Sequence, residues 1–280
     1  MKKIMPRVVS SLILGPVFIL AMPSASAVTV TAATPETLAE AFVGSDSGIA
    51  IIEGSVQYIG TTTQAGIYTG LGQVPDGILM TTGDALYRDW SHVETGTGSN
   101  AQLALIAGVP TSLTYDQNVL TFQFTVNDDS MSAISTSFVL GSNEYPLYVY
   151  PGSQYRDVFG FFVDGVNYAA FSDGSPVIAT EGDYTNGFDL GYNGKTHAYS
   201  LVALLDPNVT VHTLTIAIAD VGDAIYDSGI FIGSLSAFSC GANCPNPGVT
   251  PSIPEPETWA MLLAGLGIVG VAAKRRRRQK

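Results

Sequence analysis

The sequence predicts an all-β chain: a single antiparallel β-sandwich, jelly-roll-like, with a short N-terminal helix, plus a hydrophobic helix in a C-terminal tag. Three observations lead there. Residues 119–126 alternate, with Leu120, Phe122, Phe124 and Val126 on one side and Thr121, Gln123 and Thr125 on the other, the period of a half-buried strand. Further short apolar runs are punctuated by turn dipeptides such as Asp76-Gly77, Asp164-Gly165, Asp173-Gly174, Asn186-Gly187 and Asn193-Gly194. Only 13% of residues are charged, against about 25% in soluble domains generally, while Gly (30), Pro (15), Tyr (13) and Phe (12) are plentiful. That composition suits a turn-rich exported chain better than a helical cytosolic enzyme.

Taken in order, residues 1–27 have the three parts of a secretory signal peptide. Lys2, Lys3 and Arg7 make a basic start, an uncharged apolar run extends from Val8 to Ala21, and Ala25-Ser26-Ala27 forms a small-residue cleavage site. The folded body is expected over 28–242. Thr34 can cap a helix with Pro35 in its first turn, Leu38 and Phe42 on one face and Gly44 at its end. Strands are expected at Val119–Val126, Ser137–Leu140, Val158–Val163, Tyr168–Phe171, Tyr199–Leu205, around His212–Ile218, and at Ile230–Phe238. About 220 residues suffice for one sandwich core. The Pro- and Asn-rich stretch 243–253 reads as a linker.

The segment 254–280 repeats a tripartite layout at the other end. Pro254-Glu255-Pro256 is followed by an uncharged run, Thr258–Ala273, and then by Lys274 to Lys280 with four consecutive arginines. As a helix the run is about 24 Å long, short of the roughly 30 Å hydrocarbon core, so it suits transient inner-membrane insertion better than permanent anchoring. The basic end stays cytoplasmic by the positive-inside rule, which puts the body outside. This layout resembles the PEP-CTERM sorting signal. The resemblance implies an exosortase-type membrane protease as partner, cutting near Pro254-Glu255-Pro256, and delivery to the cell surface or extracellular matrix of a Gram-negative, polysaccharide-producing bacterium.

Charge narrows the partners. Between Val28 and Thr250 only Arg88, Arg156 and Lys195 are cationic, against 22 Asp and Glu, a net charge of about −19. Such a body repels nucleic acid and anionic lipid. The acids serve solubility, or they bind calcium, since hard cations take carboxylate and carbonyl oxygens. Cys240 and Cys244, in an exported chain, are expected to close a small disulfide loop. Two thiols without a nearby His are too few for zinc, and the spacing is not that of a redox C-x-x-C.

A second resemblance lies inside the body. Residues 76–85 (DGILMTTGDA), 138–146 (FVLGSNEYP) and 154–165 (QYRDVFGFFVDG) resemble motifs of the choice-of-anchor L domain, and 218–229 (IADVGDAIYDSG) is typical of such proteins. The family's name reflects its varied surface anchors, and the resemblance implies no established activity. Asn143 stands where the family has the first Glu of Ser-Glu-Glu-Tyr-Pro, and Arg156 where it usually has Asn.

Two groups of residues are candidates for chemistry. Asp220, Asp223 and Asp227 place three carboxylates in eight residues, in a stretch read as a loop between strands; they are a candidate calcium site, completed by Glu144, Asp157 or Asp164. The spacing is not that of an EF-hand, and Asp side chains capping their own turns would explain it equally. Glu144 and Tyr145, with Asp157 and Asp164 and the nearby Tyr148, Tyr150 and Tyr155, form a candidate ligand surface with flat aromatic faces for sugar; a structural role for them stands beside this. His92, His197 and His212 have no metal-ligand spacing, and His212 reads as a core residue. No nucleophile elbow, zinc-protease motif or P-loop occurs. The expectation is a non-catalytic surface or matrix protein involved in adhesion or in organising extracellular polysaccharide within a biofilm. The alternatives are a calcium-dependent carbohydrate-binding module and a secreted glycosidase, whose acid pair the sequence does not single out.

Overall fold

Alternation and turn chemistry set the elements. The computed structural model describes residues 28–87, 93–179, 184–241 and 244–252. The signal segment, His92, and the tag with its Pro254-Glu255-Pro256 motif and apolar helix lie outside these. In chain order the elements are β1 (Thr29–Ala32), α1 (Pro35–Val43), β2 (Ile49–Ile51), β3 (Gln57–Ile59), β4 (Ala65–Thr69), β5 (Gly77–Thr81), α2 (Ala101–Ala107), β6 (Thr114–Val126), β7 (Ala133–Ser142), β8 (Val158–Val163), β9 (Val166–Asn167), β10 (Thr185–Asn186), β11 (Gly194–Lys195), β12 (Tyr199–Leu204), β13 (His212–Val221), β14 (Ser228–Gly233), β15 (Ser236–Phe238) and β16 (Gly248–Pro251).

The strands form two antiparallel sheets, a sandwich as expected. One runs β1-β4-β5-β14-β7-β11-β10, with β12 and β15 also on β7 and β16 beyond β12; the other runs β2-β6-β13-β8-β9, with β3 also on β6. Successive long strands cross between the sheets: β6 lies in the second, β7 in the first, β8 in the second, β12 in the first, β13 in the second and β14 in the first. Between them Phe122, Phe124, Phe138, Phe159, Phe161, Leu201, Ile216 and Ile230 make the main core. Both outer faces are covered as well. Tyr68, Leu79, Val139, Tyr192 and Phe231 pack outside the first sheet, and Leu103 of α2 packs with Val158, Phe162 and Ala217 outside the second. Strands β5, β8 and β14 are therefore buried on both faces, which is why they read as near-continuous apolar runs.

Helix α1 follows its sequence signals: the Thr34 hydroxyl accepts from Thr37 N–H at 3.3 Å, Pro35 opens the first turn, and Gly44 stops it at a positive φ of 69°. Its Leu38, Ala39, Phe42 and Val43 are buried in the core. Besides β1–β5 and the two-residue β9–β11, for which no strand is expected, four elements depart from the sequence reading. Helix α2 was not expected; it has only seven residues, set by an Asn100 cap that accepts from Leu103 N–H at 2.9 Å. Tyr168–Phe171 is not a strand, because its pairing is broken into single contacts: Tyr168 N–H donates to Phe161 of β8, and Ala170 and Phe171 make isolated bridges to Pro176 and to Val249 of β16. Ile230–Phe238 divides into β14 and β15, which pair at different places along β7. Gly248–Pro251, within the stretch read as linker, forms β16 on β12, because Val249 buries its side chain in the core.

Candidate functional site

The long strands share one rule: the residues facing the core are apolar along most of the strand and turn polar at one end. On β6 the inward series Phe124, Phe122, Leu120 continues to Asn118; on β13 Leu214, Ile216, Ile218 continues to Asp220; on β8 Val163, Phe161, Phe159 continues to Asp157. In the facing sheet Ile230 gives way to Ser228, Met80 to Thr82, and Leu140 to Ser142 and then Glu144. Antiparallel register brings these ends together. Ser228 pairs with Ser142, Gly229 with Thr81, Ala219 with Val158 and Ile218 with Asn118. The result is a polar layer closing one end of the sandwich, all of it buried.

Asp157 is the hub of this layer. One carboxylate oxygen accepts from Val221 N–H at 3.1 Å and the other from the Ser228 hydroxyl at 2.6 Å, which joins the two sheets. The Ser228 hydroxyl is also 2.9 Å from that of Ser142, which in turn accepts from Glu144 N–H. Burial pushes the Asp157 carboxyl up to about 7; the bonds from Ser228 and Val221 hold it back, the charge of Asp223 adds to the rise, and the Asp220 carboxyl beside it takes a little off. Asp220 is raised well above the ordinary carboxylate range, first by burial and then by the charge of Asp157, with the Thr82 hydroxyl near enough to offset part of this. Neither carboxylate oxygen of Asp220, nor Glu144 Oε2, nor Asn118 Oδ1 has a hydrogen-bond partner. Burial, then the charges of Asp157 and Asp223, raise Glu144 to about 9.

Two further acids border the layer and are held by the backbone of residues 93–96. Asp227 is raised to about 8 by burial, with a bond from Val93 N–H lowering it and the charges of Asp157, Asp116 and Asp84 raising it. Asp116, at a positive φ of 46°, accepts from Thr95 N–H at 3.1 Å and Gly96 N–H at 2.7 Å.

The residues singled out from sequence fall in three places. Asp220, Asp227, Glu144 and Asp157 belong to the polar layer or its edge. Asp220 is not in a loop, as its sequence context suggested, but in β13, where it continues the inward alternation of Leu214, Ile216 and Ile218; the register shift beside it puts the extra residue on β6, around Asp116. Asp223 is half-buried above the layer and accepts from Ile225 N–H, a local turn. Asp164 stands apart, at the opposite end of β8 from Asp157 and roughly 20 Å away along the strand. There it accepts from Thr213 N–H and lies 2.7 Å from Nδ1 of His212, which is buried beside Phe124. Among the described residues no group of three or more acidic, His or Cys side chains is placed to hold a metal ion.

Over the Glu144 side lies an aromatic rim. Tyr148 packs against Tyr155 at 5.0 Å and Tyr226 at 5.7 Å between ring centroids, and Tyr145 stacks on Tyr184 at 5.8 Å. Leu147 and Tyr150 beside it are 70% and 50% exposed. The two departures from the family pattern have different surroundings. Asn143 is buried and holds Asn193 through both its side-chain and main-chain oxygens; Arg156 is half-buried with Nε unpartnered. Cys240 and Cys244 are disulfide-bonded. Thr82, Ser142, Ser228, Asn118 and Asp116 are absent from the sequence-level candidates. Extending each apolar alternation by one more inward step would have reached Asn118, Ser142 and Ser228.

A doubly covered antiparallel sandwich followed by a sorting segment defines an exported, tag-sorted β-domain. Residues 27–238 match the choice-of-anchor L domain, and the chain belongs to that family. Residues 252–278 match the PEP-CTERM protein-sorting motif, which makes this an exported protein sorted by an exosortase-type system. No curated protein and no solved structure matches the chain. Among the described residues no helix is long and apolar enough to cross a membrane.

Proposed function

We propose that this chain is a non-catalytic protein of the cell surface or extracellular matrix that binds and organises extracellular polysaccharide, and so contributes to adhesion and biofilm structure. The observation that carries the reading is the rim of Tyr148, Tyr155 and Tyr226 with exposed Leu147 and Tyr150 beside it. Half-exposed tyrosines offer flat apolar faces and polar edges, the chemistry that sugar rings pack against. For one pair of neighbouring acids the geometry argues against a glycosidase role. Asp157 and Asp220, neighbours across a ladder, are sealed between the sheets at 2% and 1% exposure, out of reach of a glycosidic bond.

Retention of the producing strain's polysaccharide by the purified exported chain tests this. Replacing Tyr148 and Tyr226 together by Ala should weaken it roughly tenfold, two aromatic contacts' worth. No retention by the unaltered chain sinks the proposal, and turnover of the polysaccharide would turn it towards the secreted-glycosidase reading. A calcium-dependent carbohydrate-binding module is the second reading, favoured because Glu144 and Asp223 lie directly beside the rim. In that case EDTA abolishes retention and calcium restores it.

A further inference from the structure

Residues Asp157 and Asp220 stand side by side. The β8–β13 register pairs Ile218 with Phe159 and Ala219 with Val158, so the next step sets Asp220 against Asp157, both facing the core. Asp157 has one donor for each oxygen, a backbone N–H and a serine hydroxyl. Asp220, 1% exposed, has none for either. Glu144 Oε2 and Asn118 Oδ1, also buried, have none. The orphans of Asp220, Glu144 and Asn118 are all oxygen acceptors, while the unpartnered donors near the layer, Tyr184 Oη and Arg156 Nε, do not reach them; a buried acceptor left without a donor or a cation is costly. Neither ion pair among the described residues reaches the layer, since one joins Lys195 to Asp189 and the other His212 to Asp164.

We propose that this layer binds one divalent cation of the calcium class, ligated by the carboxylates of Asp157 and Asp220 and completed by neutral oxygens of the same layer. The donor chemistry selects the ion. Carboxylate, hydroxyl and amide oxygens from Asp157, Asp220, Thr82, Ser228 and Asn118 suit a hard cation, which accepts six to eight such ligands and also takes water. Zinc would want nitrogen or sulfur. Two carboxylates balance a dication without a third acid, consistent with the lack of a three-acid cluster among the described residues. The ion would lie between the sheets, since Thr82 and Ser228 come from the first and the two aspartates from the second. It does not depend on the polysaccharide reading, because it is scored with no sugar present.

The experiment uses the full exported chain, purified in detergent, stripped with EDTA and then dialysed against calcium. Metal analysis should find one calcium per chain. A calcium titration should raise the melting temperature saturably, by about 5–10 °C at a hundredfold excess over Kd. Asp157→Asn and Asp220→Asn, separately and together, should abolish both effects; Asp220→Asn should melt no lower than the unaltered chain in EDTA, since it removes a buried like charge and no accepted hydrogen bond, whereas Asp157→Asn also gives up an acceptor for Val221 N–H or Ser228. Asp173→Asn, in an exposed turn, should bind normally. Less than a tenth of an ion per chain with a flat melting curve overturns the proposal, and so does stoichiometric binding by the double variant. If protons alone neutralise the pair, calcium leaves the melting temperature unchanged at every pH, and the proposal again falls.

Discussion

Raising the pH of the metal-free protein from 5 to 9 should destabilise it. Carboxyls in the unfolded chain titrate near 4, whereas in the fold Asp157 titrates at about 7, Asp227 at about 8 and Glu144 at about 9. All three folded values are raised, so across this window the native chain keeps protons that the unfolded chain has lost. Stability is therefore greatest at or below about pH 4–5, falls as the pH rises, and stops falling only above the folded values. Each proton so held contributes a slope of roughly 1.4 kcal/mol per pH unit. For a domain of 150–250 residues that corresponds to about 3–5 °C per pH unit in melting temperature for one proton, and more where the layer holds two. Surface carboxylates do not produce this trend, being ionised in both states above pH 6. Thermal melts followed by near-ultraviolet circular dichroism in EDTA measure it, and Asp220→Asn should flatten the curve. A melting temperature that is level or rises between pH 5 and 8 would refute the reasoning, because it would mean the buried acids are ionised in the fold without penalty.

Three further outcomes follow from packing. Gly77→Ala should cost about 1–3 kcal/mol or more in denaturant unfolding, because the new methyl would lie 2.1 Å from the Ile232 carbonyl oxygen, and the paired backbone of β14 has nowhere to go. Phe138→Ala should cost about 3–5 kcal/mol, since this ring is fully buried against Phe159 and Tyr199 at 5.3 and 5.6 Å. Reducing the Cys240–Cys244 bridge should cost about 2 kcal/mol at most, because it closes a loop with a sequence separation of only 4.

Strand β8 was legible to the residue, because Val158–Val163 is an apolar run ended by an Asp-Gly turn. Helix α1 was legible through its cap, its proline and its glycine. Helix α2 was not, because seven residues hold too few turns for a periodicity, and its shape is set by docking Leu103 on the outer face of the second sheet. Strand β16 was hidden in a composition typical of linkers, with Val249 as the one apolar residue that reaches the core. The acids at the site were visible as a list and not as a group. Asp157 and Asp164 look alike from sequence, each at an end of the same strand, yet one enters the polar layer and the other caps His212. Asp220 faces inward simply as the next step of the β13 alternation after Ile218, but its Asp-Val-Gly-Asp context reads as a turn and hides that. His212, by contrast, was readable as a core residue, since its neighbours at every second position are apolar.

Strand β16 also fixes how short the mooring is. Its last paired residue, Pro251, lies three peptide units before Pro254, the start of the sorting motif. Three units reach at most about 11 Å. An enzyme acting at that motif must work almost against the wall of the sandwich, with no stalk to give it clearance. Whatever then carries the new C-terminus carries the domain close beside it, with little freedom to swing. Any tug on that attachment enters the fold through the four residues of β16 and passes first to β12.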